Sequence, residues 1–186
     1  MSRELSKKDK QYLIDLKHKP NENDVRYKEI IKQELLNDDV LIYLLNNSEL
    51  ENEEAENDEY FNVNIKPEYI IPETQTEVDN FVCYETEFDA VARYNPAIKV
   101  QKIIFYILCH EKNNVVRDIG AERHDLIAAL LIDKFNGSNI FGNQLKLVSD
   151  KPSTTDTHYA TRTLIFEQET TNSLTRADGR SFNLRR

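Results

Sequence analysis

The sequence predicts an α/β (α+β) fold, with a mixed or antiparallel sheet, a core helix packed on it and N-terminal helices before it. Three observations carry this. Ile103–His110 is apolar at both alternating sets of positions, as in a strand central to a sheet and covered on both sides. From about Ala121 the chain places Ile127, Leu130, Leu131 and Phe135 at helical spacing, widened by Leu126, Ala129 and Ile132. Two further alternating runs follow, Gln144–Ser149 and Ala160–Glu167, giving the order strand, helix, strand, loop, strand.

Taken from the start, residues 1–20 form a basic extension with Arg3, Lys7, Lys8, Lys10, Lys17 and Lys19, read as a solvated end because no aromatic interleaving accompanies the charge. Tyr27, Ile30, Ile31 and Leu35 lie along one face of a helix, and Asn37–Asp39 caps a short one holding Leu41, Leu44 and Leu45. Glu49–Glu59 is acidic with almost no apolar residue, and is expected to be a mobile loop. Phe61, Val63 and Ile65 alternate, and Pro67 and Pro72 bracket Tyr69–Ile71, which predicts an edge strand or extended arm. Asn80–Glu85 reads as a strand, and Asn95-Pro96 as the turn before the central one.

In that central strand Ile103, Phe105, Ile107 and Cys109 point one way and Ile104, Tyr106, Leu108 and His110 the other. The helix serves one face; the other needs the N-terminal region or another subunit. The helix has an acidic start in Asp118, Glu122 and Asp125, and Gly137 is placed to close it. Asp150–Thr157 is a polar loop too long for a tight hairpin turn. The organisation expected is therefore the extension 1–20, one α/β domain over 21–170 with the acidic loop 49–59 inside it, and a basic C-terminal arm over 171–186.

The 186 residues carry a net charge of −9 and are 39% hydrophobic, enough for one core and far from a membrane composition. No apolar run nears the ~20 residues of a spanning helix, and Met1–Lys10 lacks a signal peptide's apolar stretch, so a protein made and used in the cytoplasm is expected. Cys83 and Cys109 sit in strand-like runs and read as reduced, buried thiols.

The polar set His110, Glu111, Asp118, Glu122, His124 and Asp125, at the central strand's end and the helix start, is the sharpest catalytic suggestion. A hydrolytic metal site needs such ligands converging with one open position. The His-Glu-x-x-His spacing is absent, and His124 falls on a first helical turn, where exposure is usual. The glycines are scattered, with none in a phosphate loop, no Ser or Cys sits on a glycine-flanked elbow, and Ser153–Thr155 has loop composition. Motifs therefore point to no enzyme, no metal and no cofactor.

The strand Gln101–His110, Arg123–Ile127 in the helix, Leu145–Leu147 and Tyr159–Phe166 together resemble the tail terminator (tail-completion, neck) proteins of tailed bacteriophages, over about residues 20–170. The resemblance lies in element order and in the texture of these segments. It implies a small non-enzymatic α/β subunit of a hexameric ring that caps the tail tube and faces the head connector. It implies a virion location in the neck or tail after assembly in the host cytoplasm. The partners implied are copies of the same chain and neck, connector and tail-tube proteins, with DNA passing the lumen unbound and no membrane. The acidic run 49–59 and the basic end depart from the family pattern. A negative wall repels phosphate, so a charge of −9 fits passage of DNA rather than its capture.

The function expected is a tail terminator or neck subunit. A head-tail connector (adaptor or stopper) subunit is the alternative within that class, and a metal-dependent hydrolase or nuclease using His110, Glu111 and His124 the alternative outside it. The assembly interface is assigned to the C-terminal arm, where Arg176, Arg180 and Arg185 surround Phe182 and Leu184. Its four arginines face a single acid, Asp178, and complement an acidic body.

Overall fold

β-Branched and aromatic residues crowd the middle of the chain, and there the longest strand forms, β3 at Asn95–His110. In the computed structural model, which describes residues 6–17, 24–69, 78–92, 95–154 and 158–171, β3 is the centre of a five-stranded sheet. The other strands are β1 (Ile65–Lys66), β2 (Asn80–Ala92), β6 (Lys146–Thr154) and β7 (Tyr159–Thr171), in the order β1-β2-β3-β7-β6. β1 runs parallel to β2 and every other pairing is antiparallel, so the sheet is mixed. A separate two-stranded piece, β4 (Val115–Val116) with β5 (Ala121–Glu122), lies between β3 and the main helix.

The helices are α1 (Lys7–Lys17), α2 (Asp24–Leu36), α3 (Asp39–Leu45), α4 (Ser48–Asn52) and α5 (Arg123–Phe135). Ile127, Leu131 and Phe135 of α5 are buried at the predicted spacing against Ile103, Phe105, Ile107 and Cys109 of β3 and Leu164 and Phe166 of β7. Phe135 lies 4.9 Å from the Phe105 ring. Leu130 is half-buried and Ala129 exposed, so the apolar stripe is narrower than expected. The helix starts two residues later than predicted, because Ala121 and Glu122 pair with β4. Gly137, at φ +83, then turns the chain, its amide donating to the Leu145 carbonyl (2.8 Å).

Tyr27, Ile31 and Leu35 of α2 and Leu41, Leu44 and Leu45 of α3 join this same core. The Asp38 carboxylate caps α3 by accepting from the amides of Val40 and Leu41, both at 3.1 Å. The N-terminal helices thus reinforce the face that α5 covers and leave the second face alone. That face carries its own small cluster of Phe81, Cys83, Leu108 and Tyr159, with Tyr106 at its edge. Neighbouring side chains shield it: Lys66 sits over the Phe81 ring at 4.7 Å and Tyr69 lies 4.5 Å from the Tyr106 ring. Cys83 and Cys109 are both free and buried on opposite sides of the sheet.

Four local expectations change. Asp150–Thr154 is strand rather than loop: β6 continues through Pro152, which lies opposite Arg162, and an edge strand tolerates a residue without an N–H. Asn95-Pro96 opens β3 instead of turning before it. Of Phe61–Ile65 only Ile65 enters a strand; Asn62 (φ +65) turns the chain, Val63 is exposed and Asn64 is buried. The acidic run holds α4 and a 3-10 turn at Asn57–Tyr60, because Asn47 caps one and Glu56 and Glu59 box the other.

Lys7–Lys17, expected to be a solvated end, is helical. Its Ser6 hydroxyl accepts from the Asp9 amide (3.2 Å) and donates to the Asp9 carboxylate (2.6 Å), a cap that holds the first turn. Residues 172–186, with Arg176, Arg180, Phe182, Leu184 and Arg185, lie outside the described residues.

Candidate functional site

The polar set singled out by sequence lies where β3 ends. A 3-10 turn at Glu111–Asn113 leads into the β4–β5 hairpin, whose Gly120 takes φ +72 and donates to the Val116 carbonyl (2.8 Å). That reversal delivers Arg123 to the start of α5, where its amide meets the Asn114 carbonyl at 2.5 Å.

The set divides into two groups. In the first, Glu122, His124 and Asp125 bring their ligand atoms within 4.8 Å of one another, the one such gathering of three among the described residues. His124 is buried (8% exposed), against the expectation for a first-turn residue, because Asn114 holds it: Asn114 Oδ1 lies 3.0 Å from Nδ1 and accepts the His124 amide at 3.2 Å. Glu122 approaches Nδ1 and Asp125 approaches Nε2, each at 3.4 Å. The two carboxylates therefore flank opposite ring nitrogens, whose lone pairs diverge. Asp125 is also bound by Arg162, whose guanidinium grips Asp150 through Nε (2.6 Å) and Nη2 (2.8 Å). An ion on Nε2 would share Asp125 with that arginine and leave Glu122 on the far side of the ring.

In the second group His110 is buried at the strand end, its Nδ1 accepting from the Lys112 amide (3.2 Å) and its ring edge-on to Tyr159 at 5.2 Å. Burial, then the nearby Lys112 charge, lower its pKa from the ordinary value. Glu111 pairs with His158 at 2.7 Å, both exposed. Asp118 lies exposed in the β4–β5 turn. His110, Glu111 and His124, expected together in the hydrolase alternative, are not gathered among the described residues.

Sequence reasoning passed over the residues that organise this end: Asn114, Asp150 and Arg162. Each is a single polar residue with no spacing signal, and only the register of β6 against β7 brings Asp150 to Arg162.

Elsewhere the polar chemistry is on surfaces. Across the second sheet face Glu87, Lys102, Glu167 and Lys146 lie in register, with Lys102 at 3.7 Å from both glutamates. This alternating ladder leaves that end of the face compatible with water. At the same end a groove of about 550 Å³ is lined by Ile98, Val100, Val148, Lys146, Glu167 and Glu169, among others. The carboxylates of residues 49–59 are all exposed, with no basic residue among them. No described helix is long and apolar enough to cross a membrane.

A mixed sheet with α2, α3 and α5 packed on one face defines a small α+β protein. The chain belongs to the YomW family, which matches residues 37–168, from the turn before α3 to the last part of β7. That name has the style of a gene product from a phage region of Bacillus and suggests a phage-associated protein. No curated protein matches the chain.

Proposed function

We propose that the chain is a structural, non-enzymatic protein of a tailed bacteriophage, a tail terminator or neck subunit that forms a homo-oligomeric ring at the head-tail junction. The YomW match carries the phage part of this reading. The order of strand, helix and strands, which resembles the tail terminator proteins, supports the finer part. The net charge of −9 suits a lumen through which DNA slides without being held. Neck, connector and tail-tube proteins are the partners, and the basic arm over 171–186 docks on another copy or on an acidic neighbour. A head-tail connector subunit is the near alternative, and it shares the location.

The test is mass photometry of the purified chain together with electron microscopy of particles and antibody labelling against it. Closed rings in solution and label at the neck are the expected result. A monomer at every concentration, with no label on particles, overturns the reading.

The gathering of Glu122, His124 and Asp125 favours one second reading, a metal-dependent hydrolase centred on His124. Stoichiometric zinc or manganese in the purified protein, lost in His124→Ala together with phosphodiester hydrolysis, would establish it in place of the scaffold.

A further inference from the structure

α1 is a helix without a home. All described side chains of Ser6–Asp15 are exposed, including Tyr12 at 54%, Leu13 at 51% and Ile14 at 50%. A helix of 11 residues is marginal by itself in water, so one that shows three large apolar groups is stable mainly against something. At about 100° per residue Tyr12 and Leu13 share one side. Lys8, one turn before Tyr12, and Lys10, three before Leu13, border it. Asp9, whose carboxylate takes the Ser6 hydroxyl, falls between the two, and α1 as a whole is basic, with four lysines against two aspartates.

The same chain carries the complement. On α3, Val40 (57% exposed) and Tyr43 (55% exposed) stand three positions apart on one face. Asn57 Nδ2 donates to the Asp39 carboxylate and to the Leu36 carbonyl, both at 3.0 Å, which ties the acidic run to the start of α3 beside Val40. That run offers seven exposed carboxylates between Glu49 and Glu59.

We propose that α1 of one copy docks through Tyr12 and Leu13 on the Val40–Tyr43 face of α3 in a second copy, with its lysines against the carboxylates of residues 49–59. This rests on the homo-oligomer reading above and names a contact for it. Within one chain the two faces do not meet, since all four apolar residues stay more than half exposed. An acidic body disfavours an anionic lipid surface as the alternative occupant. The two patches differ, so the contact is heterologous, the type that propagates head to tail and gives a ring where the rotation between copies closes and an open filament where it does not.

The experiment uses the full chain and two variants, Tyr12→Glu/Leu13→Glu and Val40→Glu/Tyr43→Glu, with melting curves confirming that both fold. A charge variant, Lys8→Glu/Lys10→Glu, serves if either does not. In sedimentation equilibrium each variant is expected to weaken self-association about tenfold or more, as loss of a central anchor does. Raised salt should weaken the wild type in the same direction. An equimolar mixture of the two double variants should stop at a heterodimer, because only one good α1 and one good acceptor remain. Wild-type assembly that survives in either variant overturns the docking and leaves the ring reading standing. A wild type monomeric throughout overturns both. Co-sedimentation of the monomeric wild type with phosphatidylserine vesicles, lost in Tyr12→Glu/Leu13→Glu, assigns α1 to a membrane surface instead.

Discussion

Arg123 Nη1 donates to the Leu44 carbonyl at 2.7 Å, joining the first residue of α5 to the last turn of α3 across 79 positions of sequence. The same guanidinium donates from Nε to the Asn113 carbonyl at 2.8 Å, and the residue is 5% exposed. A cation buried against the carbonyl end of a helix answers acceptors that the helix leaves unpaired. Arg123→Met keeps the stem and removes every donor. It is expected to cost about 2–3 kcal/mol in urea denaturation, since charged hydrogen bonds are lost and buried carbonyls orphaned.

A second buried link ties three turns together. Asn47 Nδ2 donates to Asn64 Oδ1 (2.8 Å), Asn64 Nδ2 to the Asn80 carbonyl (2.9 Å), and Asn80 Nδ2 to the Leu45 carbonyl (2.8 Å). Asn64→Ala strands one donor and one acceptor, at about 1–3 kcal/mol for each group left without a partner. A denaturant midpoint equal to wild type would show that the chain of asparagines contributes nothing.

Core and acidic run should separate cleanly. Leu131, 1% exposed, lies against the sheet, and Leu131→Ala is expected to cost about 2–5 kcal/mol. Glu53→Ala, on an exposed residue, should change stability by less than about 0.5 kcal/mol. Midpoints in the reverse order would misplace the core.

His110 makes stability depend on pH. Its pKa is lowered in the folded protein, chiefly by burial, so the unfolded chain takes up the proton first as pH falls. Its contribution is full above about pH 6.5, the unfolded value, and is lost as pH drops from there toward the folded pKa. Melting temperatures from pH 7.5 to 5 should fall more steeply for wild type than for His110→Gln; parallel curves would refute the assignment.

The C-terminal arm gives a test of assembly rather than stability. Deleting 172–186 removes four arginines and, as the basic arm reading has it, should leave the melting temperature unchanged while weakening rings or particle joining. Normal rings and normal virions from the truncated chain would reduce the arm to solvated chain.

The sequence by itself determined the α+β class, the central strand and the core face of α5. Ile103–Cys109 and Ile127–Phe135 carry their periods locally, and burial follows those periods wherever the partner sits. The Asp38 cap was legible for the same reason, as its bonds reach only two and three residues. The tertiary structure alone decided which face the N-terminal helices cover, why β6 runs through Pro152, and how Asp150, Arg162, Asp125, His124 and Asn114 form one cluster. Those outcomes depend on strand register and on contacts between residues far apart, for which a polar side chain carries no periodic signal. His124 shows the limit most directly: its position in the first turn predicts exposure, and an asparagine ten residues earlier buries it.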